Sequence, residues 1–117
     1  LDFVVPDTGD LAADVEAWLR SVLSILDAPQ GGVLLRSLVA AATEDAGVGK
    51  HLGESLGVEE HLGSRLRAGI RAGQLPESAP VQELGRAILG AIIVESLGRE
   101  ERDPESIVRL TRFLFSR

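Results

Sequence analysis

Val81-Gln-Glu-Leu-Gly-Arg-Ala-Ile-Leu-Gly-Ala-Ile-Ile-Val-Glu-Ser-Leu97, a charged turn, then Pro104-Glu-Ser-Ile-Val-Arg-Leu-Thr-Arg-Phe-Leu-Phe115: the reading of this stretch decides the fold. From Ala87 to Val94 no residue carries a charged or polar side chain. A helix apolar on one stripe covers one core, whereas a helix apolar all round needs cover on several sides. In a small domain the second cover is often another copy of the chain. The pair 81–97 and 104–116 is therefore expected to serve both core and homodimer contact, with Leu89, Ile93, Leu110 and Leu114 at the centre of a self-complementary interface. A central helix inside one compact bundle is the simpler alternative.

Working back toward the N-terminus, the same helical period recurs. Asp7 or Thr8 is the expected N-cap of a helix over Asp10–Leu26, in which Leu11, Val15, Trp18, Val22 and Ile25 share a face while Asp14, Glu16 and Arg20 fall mostly elsewhere. Asp27-Ala-Pro29 ends it, and Gln30-Gly-Gly32 reads as a loop. A second helix spans Val33–Glu44. Seven glycines interrupt the segment from Gly47 to Gly73, each costing a helix about 1 kcal/mol against Ala. The expectation is a helix broken near Gly57, then a longer one over Val58–Ala72. Gly49, Gly53 and Gly57 share one face, either as a close-approach stripe or as small residues in a chain rich in them. Gly73 with Pro76 stops the second piece, Pro80 starts the penultimate helix, and Asp103-Pro104 caps the last. The fold class is all-α: an antiparallel bundle of five to six helices forming a single domain over 1–117.

Composition agrees with that class. The 117 residues include one Trp, three Phe and no Tyr, fewer rings than a β-sandwich core asks for. With no cysteine, disulfides, thiolate metal sites and cysteine nucleophiles are excluded. No apolar run approaches the ~20 residues of a membrane span. The start, Leu1-Asp-Phe-Val-Val-Pro6, lacks a signal peptide's basic region and an initiator Met. The expectation is a piece of a longer cytoplasmic protein. Net charge is −6; residues 1–64 hold 11 acids and 3 bases, residues 65–117 hold 7 acids and 9 bases. Such a surface has no electrostatic footprint for nucleic acid.

Catalytic and metal chemistry finds little support. His51 and His61 are ten apart and lack the i, i+3 or i, i+4 partner of helical metal pairs. Gly47-Val-Gly-Lys50 lacks the spacing and preceding strand of a phosphate loop. No nucleophile elbow appears. No enzyme activity, metal or cofactor is expected. What the pattern does suggest is a cavity. The helices Asp10–Leu26, Val33–Glu44, Val58–Ala72 and Val81–Leu97 bring apolar stripes to one centre with a single ring, Trp18, among them. An incompletely filled aliphatic site is expected, lined by Trp18, Val22, Leu35, Val39, Leu62, Leu66, Ile88 and Ile92, with His61, Arg36 and Glu95 as its polar features. It suits an apolar or amphipathic small molecule better than a nucleotide or sugar, whose polar groups would go unpaired. Trp18 is a core anchor first and a pocket wall second. Glu95 has three readings: it faces the pocket, pairs with Arg99 or an arginine across a dimer, or lies at an exposed helix end.

Several stretches together resemble the C-terminal regulatory domain of a TetR-family transcriptional repressor. They are Val5-Pro-Asp-Thr-Gly-Asp-Leu11, Leu34-Leu-Arg-Ser-Leu-Val-Ala-Ala-Ala-Thr-Glu-Asp45, Arg65-Leu-Arg-Ala-Gly-Ile-Arg-Ala-Gly-Gln-Leu75, and Leu89-Gly-Ala-Ile-Ile-Val-Glu-Ser-Leu97 with Ile107-Val-Arg-Leu-Thr-Arg-Phe-Leu114. Where relatives often carry tyrosines and an arginine in the penultimate helix, this chain has Ile93, Val94 and Glu95. The resemblance implies a ligand-sensing, homodimerising domain that meets DNA only through an N-terminal helix-turn-helix domain absent here. A helical protein-interaction module and a small enzyme on a helical scaffold are the other classes considered.

Overall fold

The computed structural model describes residues 4–47, 50, 54, 58–97 and 103–115. Within them lie five α-helices, a π-helical turn and no strand. The order is α1 (Leu11–Asp27), α2 (Pro29–Ala42), the π turn (Val58–Leu62), α3 (Gly63–Arg71), α4 (Val81–Leu97) and α5 (Pro104–Phe115).

Helix α1 starts later than its expected cap. Asp10, not Asp7 or Thr8, is the N-cap and accepts from the Ala13 N–H at 3.2 Å. The reason lies one residue earlier. Gly9 has φ +92°, a left-handed conformation that turns the lead-in away from the helix axis. Asp7 and Thr8 therefore reach a different target, described below.

Helix α2 starts earlier than expected. Gln30-Gly-Gly32 is not a loop; Pro29 is the first residue of α2, which meets α1 at 93° across extended Ala28. The glycines are there for closeness. A Cβ on Gly31 would stand 2.2 Å from the Ile25 carbonyl oxygen, so only a bare backbone lets the two helices turn so sharply. The helix over Val58–Ala72 appears as the π turn running into α3. Gly73, at φ +78°, ends α3 by sending its N–H to the Ile70 carbonyl, while the Gln74 N–H reaches Gly69 at 2.8 Å. Gly49, Gly53 and Gly57, and the break near Gly57, lie outside the described residues.

One apolar cluster unites all five helices. Val15, Leu19, Val22, Leu62, Leu66, Ile88, Ile92 and Val108 are fully enclosed in it. Helices α1 and α4 each touch all the other helices. Inside one chain, though, α4 is not covered all round. Only Gly85, Ile88, Ile92 and Ser96 are buried; Leu84, Leu89, Ala91 and Ile93 are half-buried, and Val94 is 71% exposed. On α5 the buried stripe is Ile107, Val108, Thr111 and Phe115. Leu110 and Leu114, expected at the dimer contact, are exposed and half-buried, since the helix is rotated to seat Val108 and Phe115 in the core. Among the described residues no single helix is long and apolar enough to cross a membrane.

Candidate functional site

Seven of the residues expected to line a cavity converge in the core. Trp18, Val22, Leu35, Leu62, Leu66, Ile88 and Ile92 each have 2% exposure or less, and Val39 packs half-buried at their edge. They come from α1, α2, α4 and the π turn with α3, as the periodicity requires. One atom among them is unusual. The Trp18 indole Nε1 is buried with no hydrogen-bond acceptor among the described residues, and an unmade buried hydrogen bond costs about 1–3 kcal/mol.

The polar candidates have local settings of their own. The Arg36 guanidinium lies against Gly32, 3.2 Å from where a Cβ would stand. His61 sits half-buried on the π turn. Glu95 has a role that its three readings did not include, and its expected partner Arg99 lies outside the described residues. Its carboxylate accepts from the Asp103 backbone N–H and from the Ser106 hydroxyl at 3.3 Å. It therefore closes α4 onto the start of α5, where unpaired N–H groups and the positive helix end favour an acid. Asp103 completes this corner. Its carboxylate accepts from the Glu105 N–H at 3.1 Å and from Arg109 at 2.8 Å, and the Arg109 bond holds its carboxyl below the usual aspartate range. A cavity of about 20 Å³ beside this corner, between Leu23, Leu26, Asp27, Glu95, Ser96 and Pro104, has room for about one water.

The outer face of the α4–α5 pair is apolar and open. Ala91, Val94, Ile107 and Leu110, with Glu95 and Ser106 at the polar side, line a groove of about 210 Å³ between the two helices. Phe113, three residues on from Leu110, is 81% exposed. Of the four residues expected at a dimer centre, Leu89, Ile93 and Leu114 are half-buried and Leu110 is exposed.

The best-built polar constellation centres on Asp14, which was expected mostly off the apolar face of its helix and is instead buried on it. Asp14 is on the buried stripe of α1, its side chain only 2% exposed. Thr8 donates to it twice, from its hydroxyl at 2.7 Å and its N–H at 2.9 Å, and Arg65 of α3 donates at 2.8 Å. Burial alone would push the Asp14 carboxyl up. The Thr8 and Arg65 hydrogen bonds, with the Arg65 charge, outweigh it and hold the group below its ordinary value. Arg65 also donates to the Pro6 carbonyl at 3.2 Å and lies 3.7 Å from Asp7. Beyond the end of α3, the Gln74 amide grips the same segment: Nε2 donates to the Gly9 carbonyl at 2.7 Å and Oε1 accepts from the Leu11 N–H at 2.9 Å. One signal was available. Leu11, Asp14, Val15 and Trp18 are at helical spacing, so Asp14 shares the apolar face and needs a partner.

A family model described as tetracyclin repressor-like, C-terminal domain, matches residues 5–114. Comparison with curated proteins and with solved structures finds no match. The family match spans the lead-in, the enclosed core and the α4–α5 pair, and on it the chain belongs to the tetracyclin repressor-like C-terminal domain family.

Proposed function

We propose that this chain is the ligand-sensing and homodimerisation domain of a TetR-like transcriptional repressor, acting in the cytoplasm and without enzyme activity. The observation that carries the proposal is the family match over residues 5–114. The open apolar face of α4 and α5 supports the dimer: Val94, Leu110 and Phe113 stay exposed in the single chain. An apolar effector enters among Trp18, Val22, Leu35, Leu62, Leu66, Ile88 and Ile92, and the unpartnered Trp18 N–H favours one bearing an acceptor oxygen. In the intact protein, the effector binds better to the state in which two N-terminal DNA-reading heads are wrongly spaced, so operator affinity falls.

Light scattering and a ligand screen test the two halves. The wild-type chain should have the mass of two copies at micromolar concentration, and Ile93→Glu should have the mass of one. Binders from a hydrophobic panel should raise the melting temperature and shift the emission of Trp18, the sole tryptophan. A single-copy wild-type mass would sink the dimer. The close enclosure of the core residues favours a second reading, a helical protein-interaction module without a small ligand; a dimer unmoved by the whole panel would select it.

A further inference from the structure

The lead-in formed by residues 4–10 makes no helix or strand. Among the described residues it is held to the body by one buried side chain, Val5, and by the polar grips of Asp14, Arg65 and Gln74. We propose that these three residues form a two-point clasp that seats the lead-in and makes its position depend on the gap between α1 and α3. The inference rests on the regulatory-domain reading, in which the lead-in joins this domain to the DNA-binding part of the protein.

Three features make the clasp a sensor of that gap rather than a generic surface contact. Its two halves stand on different helices, with Asp14 on α1 and Arg65 on α3, and each adjoins a fully enclosed core residue, Val15 and Leu66. The helices approach closely. A Cβ on Gly69 would stand 2.6 Å from Leu11 Cδ2, so the bare α3 backbone packs against the Leu11 side chain in the first turn of α1. Finally, the two grips act at separate points. Arg65 reaches Pro6 and Asp7, while Gln74 reaches Gly9 and Leu11. An event in the core that displaces α3 against α1 thus has to lengthen the Asp14–Arg65 bond, shift Pro6, or both. An occupied core and a seated lead-in become mutually dependent, which is the physical content of coupling between two sites.

Amide hydrogen exchange by NMR on the 117-residue chain tests this. In Arg65→Gln the Thr8 amide, which donates to Asp14, should exchange about tenfold faster or more, since hydrogen bonds to charged groups are the strong ones. In Gln74→Ala the Leu11 amide should respond in the same way. Amides within α2 and α4 should keep wild-type rates in both variants. Arg65→Lys keeps the charge opposite Asp14 but cannot also fork to the Pro6 carbonyl, so it should give an intermediate rate. Overfilling the core with Leu66→Phe should speed exchange at Thr8 and Leu11 before it does so in α2 and α4. Uniform acceleration across all helices in these variants, or unchanged Thr8 and Leu11 amides, overturns the clasp. Neither outcome bears on dimer mass or ligand response, so the functional reading fails or stands separately.

Discussion

Asp14 has a carboxylate where its helix has an apolar stripe, and it survives there because every side of it is answered. Removing one partner of a buried charge pair leaves the other stranded, so Asp14→Ala should destabilise the chain by about 3 kcal/mol. Urea unfolding at neutral pH checks this through a lowered midpoint at an unchanged slope. The pH dependence has a definite sign. The folded carboxyl titrates below its ordinary value of about 3.9. Its contribution is therefore fully present above that pH and is lost as pH falls through the lower, folded value. Wild-type stability should drop in strong acid, and Asp14→Asn should flatten that drop. An equally steep acid loss in Asp14→Asn would mean that other carboxylates carry it.

At the scale of the element, the α1–α2 corner sets two known effects against each other. Alanine favours a helix interior over glycine by about 1 kcal/mol, so Gly31→Ala looks stabilising from helix propensity alone. The new Cβ would stand 2.2 Å from the Ile25 carbonyl oxygen, a contact with backbone that no rotamer change relieves. Relieving it means opening the 93° corner and unseating Leu26 and Leu35, and overpacking of this kind costs about 1–3 kcal/mol or more. The steric term outweighs propensity. Gly31→Ala should lower the melting temperature while leaving helical circular dichroism at low temperature nearly unchanged. A raised melting temperature would show that the corner relaxes at no cost.

Across the whole molecule, α1 is held to α5 by a surface ion network. Arg112 donates to Glu16 at 2.7 Å, and Arg20 donates to Glu105 at 2.8 Å and to Glu16 at 3.3 Å. The Arg112 hydrogen bond is the main cause that holds the Glu16 carboxyl below its usual range. These side chains lie at the surface, where water and salt screen them, so Val108 and Phe115, buried nearby on α5, hold the two helices together more firmly. Glu16→Gln should cost a small fraction of what Asp14→Ala costs, and its effect should fade as salt rises. Equal losses in the two variants, measured by urea unfolding, would place the network on a par with the buried pair.

Most of the fold was legible because its determinants are local. The 3.6-residue recurrence of Leu, Ile and Val, the stop at Gly73, and Asp103-Pro104 ahead of α5 depend on neighbours within a turn or two, and each is found where the period or the cap put it. The family was carried instead by the resemblance of particular stretches, from Val5–Leu11 to Ile107–Leu114, and the family match covers residues 5–114. The candidate site was legible as a set of core positions, since stripes of one period converge wherever helices pack. Other features rest on partners remote in sequence or on packing angles. Arg65 meets Asp14 from 51 residues away and Gln74 meets Gly9 from 65; those distances exist only once α3 lies across the first turn of α1. Gly31 is a close approach rather than a loop because α2 leaves α1 at a right angle. Glu95 caps α5 because the hairpin closes within hydrogen-bond reach. Which of Val108 and Leu110 faces inward was decided by the rotation of α5 against α1, since on a helix apolar on two sides the period alone does not choose.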